Sequence, residues 1–210
     1  MRRLWNVWRC ARVTVSPRRM RIAFRVVTAS ALAIVVAISA SPSVLESAQP
    51  TKFEVEAAYL YQFGNFVQWP SKNPKAAGSK YFSVCVLGRD PFGRALDDTL
   101  SGSKMNGLPM VARRIDSVAD ASDCQILFFS SSRRSQLDSS MSALHDAPIL
   151  TVSDIPNFAS RGGMIQFVLV SGRVRFEINL TSAQKAKLRL SSQLLKVAVG
   201  IRTDRKLNKQ

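Results

Sequence analysis

Few side chains in this chain are spaced for chemistry, and the nearest approaches fail on specific residues. Gly88-Arg89-Asp90-Pro91-Phe92-Gly93 has the glycine spacing of a phosphate loop, but Arg94 and Ala95 stand where lysine and serine or threonine would meet phosphate and magnesium. His145 is the only histidine, so paired histidine metal ligands cannot occur, and no nucleophile stands near it in sequence. Its place after a helix and before Asp146-Ala147-Pro148 suits a helix C-terminus. Asp97 and Asp98 are adjacent, so on a helix they point apart and form a solvated face rather than an acid/base pair. No Gly-x-Ser-x-Gly elbow appears. The expectation is a protein without catalysis, cofactor or metal. One constellation could hold a small anion: Arg189 precedes Ser191, a candidate cap of the last helix, and Arg173 and Arg175 share one face of a strand. Exposed arginines in local ion pairs are the alternative.

The amino terminus sets the compartment. Eight arginines and no acid occupy residues 1–25, and an apolar run of 15 residues, Val26 to Ala40, follows. That is the order of a secretory signal, and the run is shorter than the roughly 20 residues that span a bilayer. Cleavage is expected between Ala40 and Gln49, with residues 1–48 as signal and 49–210 as one domain. Met20 can serve as the true start, because Arg21 and Arg25 with the same run already make a signal. Ser16-Pro17-Arg18-Arg19 fits a twin-arginine signal poorly, and an uncleaved anchor is the alternative. The whole chain carries 30 basic and 14 acidic residues, net +16. Without the eight arginines and Glu46 of the first 48 residues, 22 basic and 13 acidic remain, net +9. The surplus suits anionic lipid or an acidic partner. Nucleic acid is not expected: the basic residues are scattered pairs without interleaved aromatics. Cys10 leaves with the signal, so Cys85 and Cys124 remain as an even pair in an oxidising compartment. A disulfide is expected; two buried thiols are the alternative.

Export leaves the following elements to position these residues. Thr51-Lys52-Phe53-Glu54 reads as a capping box opening a helix, with Phe53, Ala57, Leu60, Gly64 and Val67 on one stripe. Tyr59, Phe63 and Phe66 form a second stripe. It is either a second buried side or a surface kept for a partner, and it leaves room for a homodimer. Trp69-Pro70 ends the helix, and residues 71–80 read as a loop. Strands are expected at 81–87, 110–115, 125–129 and 149–152, helices at 92–100 and 133–144, and a turn through Gly102 and Gly107. Residues 154–158 read as a turn or short helix. Residues 164–170 and 173–179 flank Ser171-Gly172 and read as an antiparallel hairpin. Thr181 or Ser182 caps a short helix; Ser191 caps the last, whose buried stripe is Leu194, Ala198 and Ile201. The sum is an α/β fold: a mostly parallel sheet with one antiparallel hairpin and helices on both faces.

With these pieces in view the chain resembles the YfiR family of periplasmic regulators. The resemblance runs through Glu56-Ala57-Ala58-Tyr59-Leu60-Tyr61-Gln62-Phe63, Val67-Gln68-Trp69-Pro70, Cys85-Val86-Leu87-Gly88 and Asp90-Pro91-Phe92. It continues through Cys124-Gln125-Ile126-Leu127-Phe128, Gly162-Gly163-Met164-Ile165, Arg175-Phe176-Glu177-Ile178-Asn179 and Leu188-Arg189-Leu190-Ser191-Ser192-Gln193-Leu194-Leu195. It implies a non-catalytic periplasmic α/β domain that restrains an inner-membrane diguanylate cyclase and so limits cyclic di-GMP and biofilm; a histidine kinase is the other partner class. It also implies a disulfide at Cys85 and Cys124. A second cysteine pair of some relatives is missing here, so regulation that depends on that pair does not carry over. Tyr59, Phe63 and Phe66 are the expected partner face, and Arg189, Ser191 and Arg175 the expected anion site of an alternative, ligand-sensing role.

Overall fold

A computed structural model describes residues 49–70, 79–144 and 147–203. The expected signal, most of the loop after Pro70, and His145 lie outside the described residues. The chain runs as α1 (Lys52–Phe66), β1 (Val67–Gln68), β2 (Phe82–Leu87), α2 (Arg94–Leu100), β3 (Lys104–Met105), β4 (Leu108–Ile115) and β5 (Cys124–Phe129). It continues as α3 (Leu137–Leu144), β6 (Leu150–Ser153), β7 (Ile165–Val170), β8 (Arg173–Asn179), α4 (Leu180–Lys185), β9 (Arg189–Leu190), α5 (Ser192–Val197) and β10 (Gly200–Arg202). Short 3-10 turns lie at Val118–Asp123, Ser131–Gln136 and Ala159–Arg161.

Eight strands form one sheet in the order β10-β8-β7-β6-β5-β2-β4-β3. The five strands β4-β2-β5-β6-β7 are parallel, β7 and β8 are antiparallel, and β10 joins β8 in parallel. This is the expected α/β architecture, with antiparallel pairs β3–β4 and β1–β9 added. The hairpin turns where expected: Ser171 and Gly172 both have positive φ, 49° and 73°, as a two-residue turn matched to strand twist requires.

Each face of the sheet has its own core. Val84, Val86, Ile126, Phe128, Phe167 and Phe176 pack under α1 and α2, whereas Cys85, Leu87, Leu127 and Phe129 pack with Leu137 of α3 and Phe158. Strands buried on both faces explain the apolar runs 84–87 of β2 and 126–129 of β5.

Cys85 and Cys124 are joined in a disulfide with Cα atoms 5.9 Å apart. A bulge makes that pairing possible. In a regular strand Cys124 would share a face with Ile126, on the opposite side of the sheet from Cys85. The register slips between Ser83↔Cys124 and Val84↔Ile126, so Gln125 is the extra residue and Cys124 turns to the Cys85 side. The Ser83 N–H, which the slip leaves without a ladder partner, donates to Gln125 Oε1 at 2.6 Å. Both residues are buried, so Gln125→Leu should destabilise the oxidised protein by about 1–3 kcal/mol, the cost of an orphaned donor. Denaturant melts with the disulfide intact read this directly; an unmoved midpoint would show that the bulge does not need the amide.

Several boundaries differ from expectation. α1 stops at Phe66, and Val67 is extended to pair with Leu190. The helix expected from Arg133 begins as a 3-10 turn and becomes α-helical at Leu137. Residues 154–158, by contrast, make the turn that was one of the two expected forms, and a short 3-10 turn follows at Ala159. The cap of α4 is Asn179, whose side chain accepts from the Ser182 N–H, rather than Thr181 or Ser182. α5 stops at Val197, so Ile201 is 46 % exposed on edge strand β10 instead of buried; Leu194 is the residue of that stripe that reaches the core. Pairing of β10 with β8 across about 20 residues of sequence overrides the local helical pattern.

Candidate functional site

α1 carries five aromatic side chains, Phe53, Tyr59, Tyr61, Phe63 and Phe66. Its capping box forms as expected: the Glu54 N–H donates to Thr51 Oγ1 and the Thr51 N–H donates to Glu54. The Thr51 interaction holds the Glu54 carboxyl below its ordinary range. The buried side of the helix is Glu56, Ala57, Leu60, Phe63 and Gly64. Phe63 is a core residue, 0 % exposed, stacked on Tyr59 and Phe167 at 5.9 Å each and edge-on to Phe176 at 5.2 Å. The expected trio therefore divides. Phe63 is out of a partner's reach, while Tyr59 and Phe66 are half-buried, each packed on the core and still open on one side. Phe53 and Tyr61 on the same helix are also partly exposed.

Within this face lies a group that the pattern of α1 did not suggest. Glu56 is fully buried, and neither carboxylate oxygen has a hydrogen-bond partner. Lys52 Nζ is 3.5 Å from Oε1 but only 2.6 Å from Asp154 Oδ2, so the nearest cation is drawn toward the other acid. Burial pushes the Glu56 carboxyl up to about 7; Lys52 opposes that shift and Asp154 adds to it. The available signal was positional, because Glu56 falls on the apolar stripe one turn before Leu60.

The carboxyl ends of β2 and β5 are where a parallel sheet of this strand order reverses direction, the usual ligand crevice of such sheets. Here the loops after β2 and β5 pack on each other, leaving a cavity of about 220 Å³ beside them with Leu87, Asp116, Arg133 and Gln136 in its wall. Gly88 has φ +94°, and a Cβ there would meet Ser132 Oγ at 2.6 Å and Arg133 Cγ at 2.7 Å. The Ser130 N–H donates to Leu87 O, and the Arg89 N–H to Ser132 Oγ. The phosphate-loop spacing thus serves close packing of two loops. Arg114 ties the same corner, bidentate to Asp97 at 2.6 and 2.7 Å and bonded to Asp90 at 2.9 Å. The Arg114 hydrogen bonds hold the Asp97 carboxyl below its ordinary range. Asp97 is therefore half of an ion pair rather than merely solvated, and Asp98 is exposed.

The expected anion residues belong to β9, to the cap of α5 and to β8. Arg189 is exposed on β9, and Ser191 Oγ is already used as the α5 cap, accepting the Leu194 N–H. Arg175 stands on β8 between the buried Val174 and Phe176, so it points away from the α1 core. A cavity of about 440 Å³ opens elsewhere, beside α3, with Asp138, Met141, Thr151, Arg161, Met164 and Lys185 in its wall; Asp138 and Arg161 pair across it at 2.8 Å. Among the described residues no helix is long and apolar enough to cross a membrane.

Comparison with known proteins places most of this chain in one group. A family model described as YfiR/HmsC-like matches residues 53–199, from the first turn of α1 to the residue before β10. No curated protein matches the sequence. Among solved structures, a conserved domain protein from Vibrio cholerae O1 biovar El Tor str. N16961 is similar with a TM-score of 0.49 and 12% identity, over 72% of this chain. The chain spans 60% of the length of that protein.

Proposed function

Because the chain belongs to the YfiR/HmsC-like family, we propose that it is a non-catalytic periplasmic regulator that docks on an inner-membrane sensor, a diguanylate cyclase, and holds it inactive. Regulation of cyclic di-GMP signalling from the periplasm is the function class that comes with the family. The match over residues 53–199 is the observation that carries the reading. Residues 1–48 act as the export signal and 49–210 as the regulatory domain. The Cys85–Cys124 disulfide fits an oxidising compartment. The docking face is the open side of α1, with Tyr59 and Phe66 as anchors, since aromatic side chains dominate binding hot spots. Regulation is a population shift: the regulator binds the inactive state of the sensor better, and its differential affinity sets how far the sensor is held back.

Deleting the gene should raise cellular cyclic di-GMP, and the wild-type chain should restore it. A Tyr59→Ala/Phe66→Ala variant should fail to restore it while remaining folded and oxidised in the periplasmic fraction. Unchanged cyclic di-GMP on deletion would remove the cyclase reading. Full complementation by the double variant would move the docking face away from α1.

A further inference from the structure

The buried carboxyl of Glu56 lies under the same helix that carries Tyr59 and Phe66. The two halves of α1 are held differently. Its carboxyl half is fixed by the ring cluster of Phe63, Phe167 and Phe176. Its first two turns rest on the small side chains of Ala57 and Val55, the edge contact of Phe53 with Phe92 at 6.0 Å, the Lys52–Asp154 ion pair, and Glu56. An ionised carboxylate there would be buried with Lys52 as its nearest cation, 3.5 Å away and closer, at 2.6 Å, to Asp154; a neutral one carries no charge-burial cost. We infer that Glu56 is a proton-linked latch: its protonated carboxyl holds the first two turns of α1 against the sheet, and its ionisation loosens them. Acidity outside the cell membrane thereby sets how firmly the base of the aromatic face is held. That link to docking rests on the function proposed above; the latch itself does not.

The charged neighbours are few. Lys52 faces Glu56 from its own helix, and Asp154 faces it from the segment after β6. From the other elements packed on α1, Arg94 and Asp98 of α2 and Lys196 of α5 are exposed, and Asp97 is bound to Arg114. On β8, Arg173, Arg175 and Glu177 alternate with the residues turned toward α1. The direction of the effect follows from the raised native value. Below the unfolded value near 4.5 the carboxyl is protonated whether docked or loose, and pH has no effect. Between 4.5 and about 7 the loose form sheds its proton while the docked form keeps it, so docking weakens as pH rises. Above about 7 both forms are ionised and the loss levels off, at a ceiling of about 300-fold.

Hydrogen exchange of the oxidised protein tests this without any partner, so its failure would leave the proposed function standing. Protection factors, which remove the intrinsic pH dependence of exchange, should fall about tenfold between pH 6 and pH 8 for amides 55–60, with β2 and β5 unchanged. Glu56→Gln should flatten the profile. Lys52→Met should move its midpoint up, and Asp154→Asn, which removes a like charge and frees Lys52, should move it down. A slope that persists in Glu56→Gln would overturn the latch. So would equal losses in α1 and β5, because Glu56 would then tune the whole fold rather than one end of a helix.

Discussion

Phe63→Ala should lower the stability of the protein by about 3–5 kcal/mol, the usual loss for a phenylalanine removed from a core. For a domain of this size that is a melting temperature lower by roughly 10 °C. The ring touches three others and is inaccessible to solvent, so neighbouring side chains cannot refill its space without losing their own edge and stacking contacts. Phe66→Ala, at a half-buried position, should cost less. Thermal melts of both variants, read beside cyclic di-GMP in cells, separate packing from recognition. A stable Phe63→Ala that loses regulation would return this residue to the partner face.

Removing the disulfide should produce a loss of similar size. The bridge closes a loop with a sequence separation of 39, which the chain-entropy argument makes worth about 4 kcal/mol. Both cysteines are buried in the core beneath α3. The doubly substituted Cys85→Ala/Cys124→Ala protein should therefore unfold at markedly lower denaturant, with an amide spectrum close to wild type where it is still folded. Equal midpoints for the two proteins would mean that the unfolded chain gains little freedom when the link is cut.

How much of this was readable beforehand depended on where the determining contacts lie in the sequence. The capping box at Thr51, the turn at Ser171-Gly172 and the apolar runs of β2 and β5 are local statements, and the fold keeps them. β1, β9 and β10 are two or three residues long and exist because of partners far away, as Val67 does opposite Leu190. No window of sequence contains both. Glu56 reads as an ordinary polar helix residue until its place on the Phe53–Leu60 stripe is noticed. The bulge at Gln125 has no sequence signature, although Cys85 and Cys124 could not meet without it. Of the candidate site, the helix was readable and its division into buried Phe63 and accessible Tyr59 and Phe66 was not, since periodicity gives an angle around the helix axis but not what stands beside it.

The strand layer also acts as a partition between two kinds of chemistry. The sulfur link lies on one side and the proton-binding carboxyl on the other. A reductant that opens Cys85–Cys124 touches neither Tyr59 nor Glu56, and a change of acidity at Glu56 leaves the sulfurs alone. Between the two inputs stand the backbones of β2, where Val84 and Val86 flank Cys85 and point to the opposite wall, and of the segment where Asp154, beside Glu56, is followed by Ile155 in the core of the disulfide.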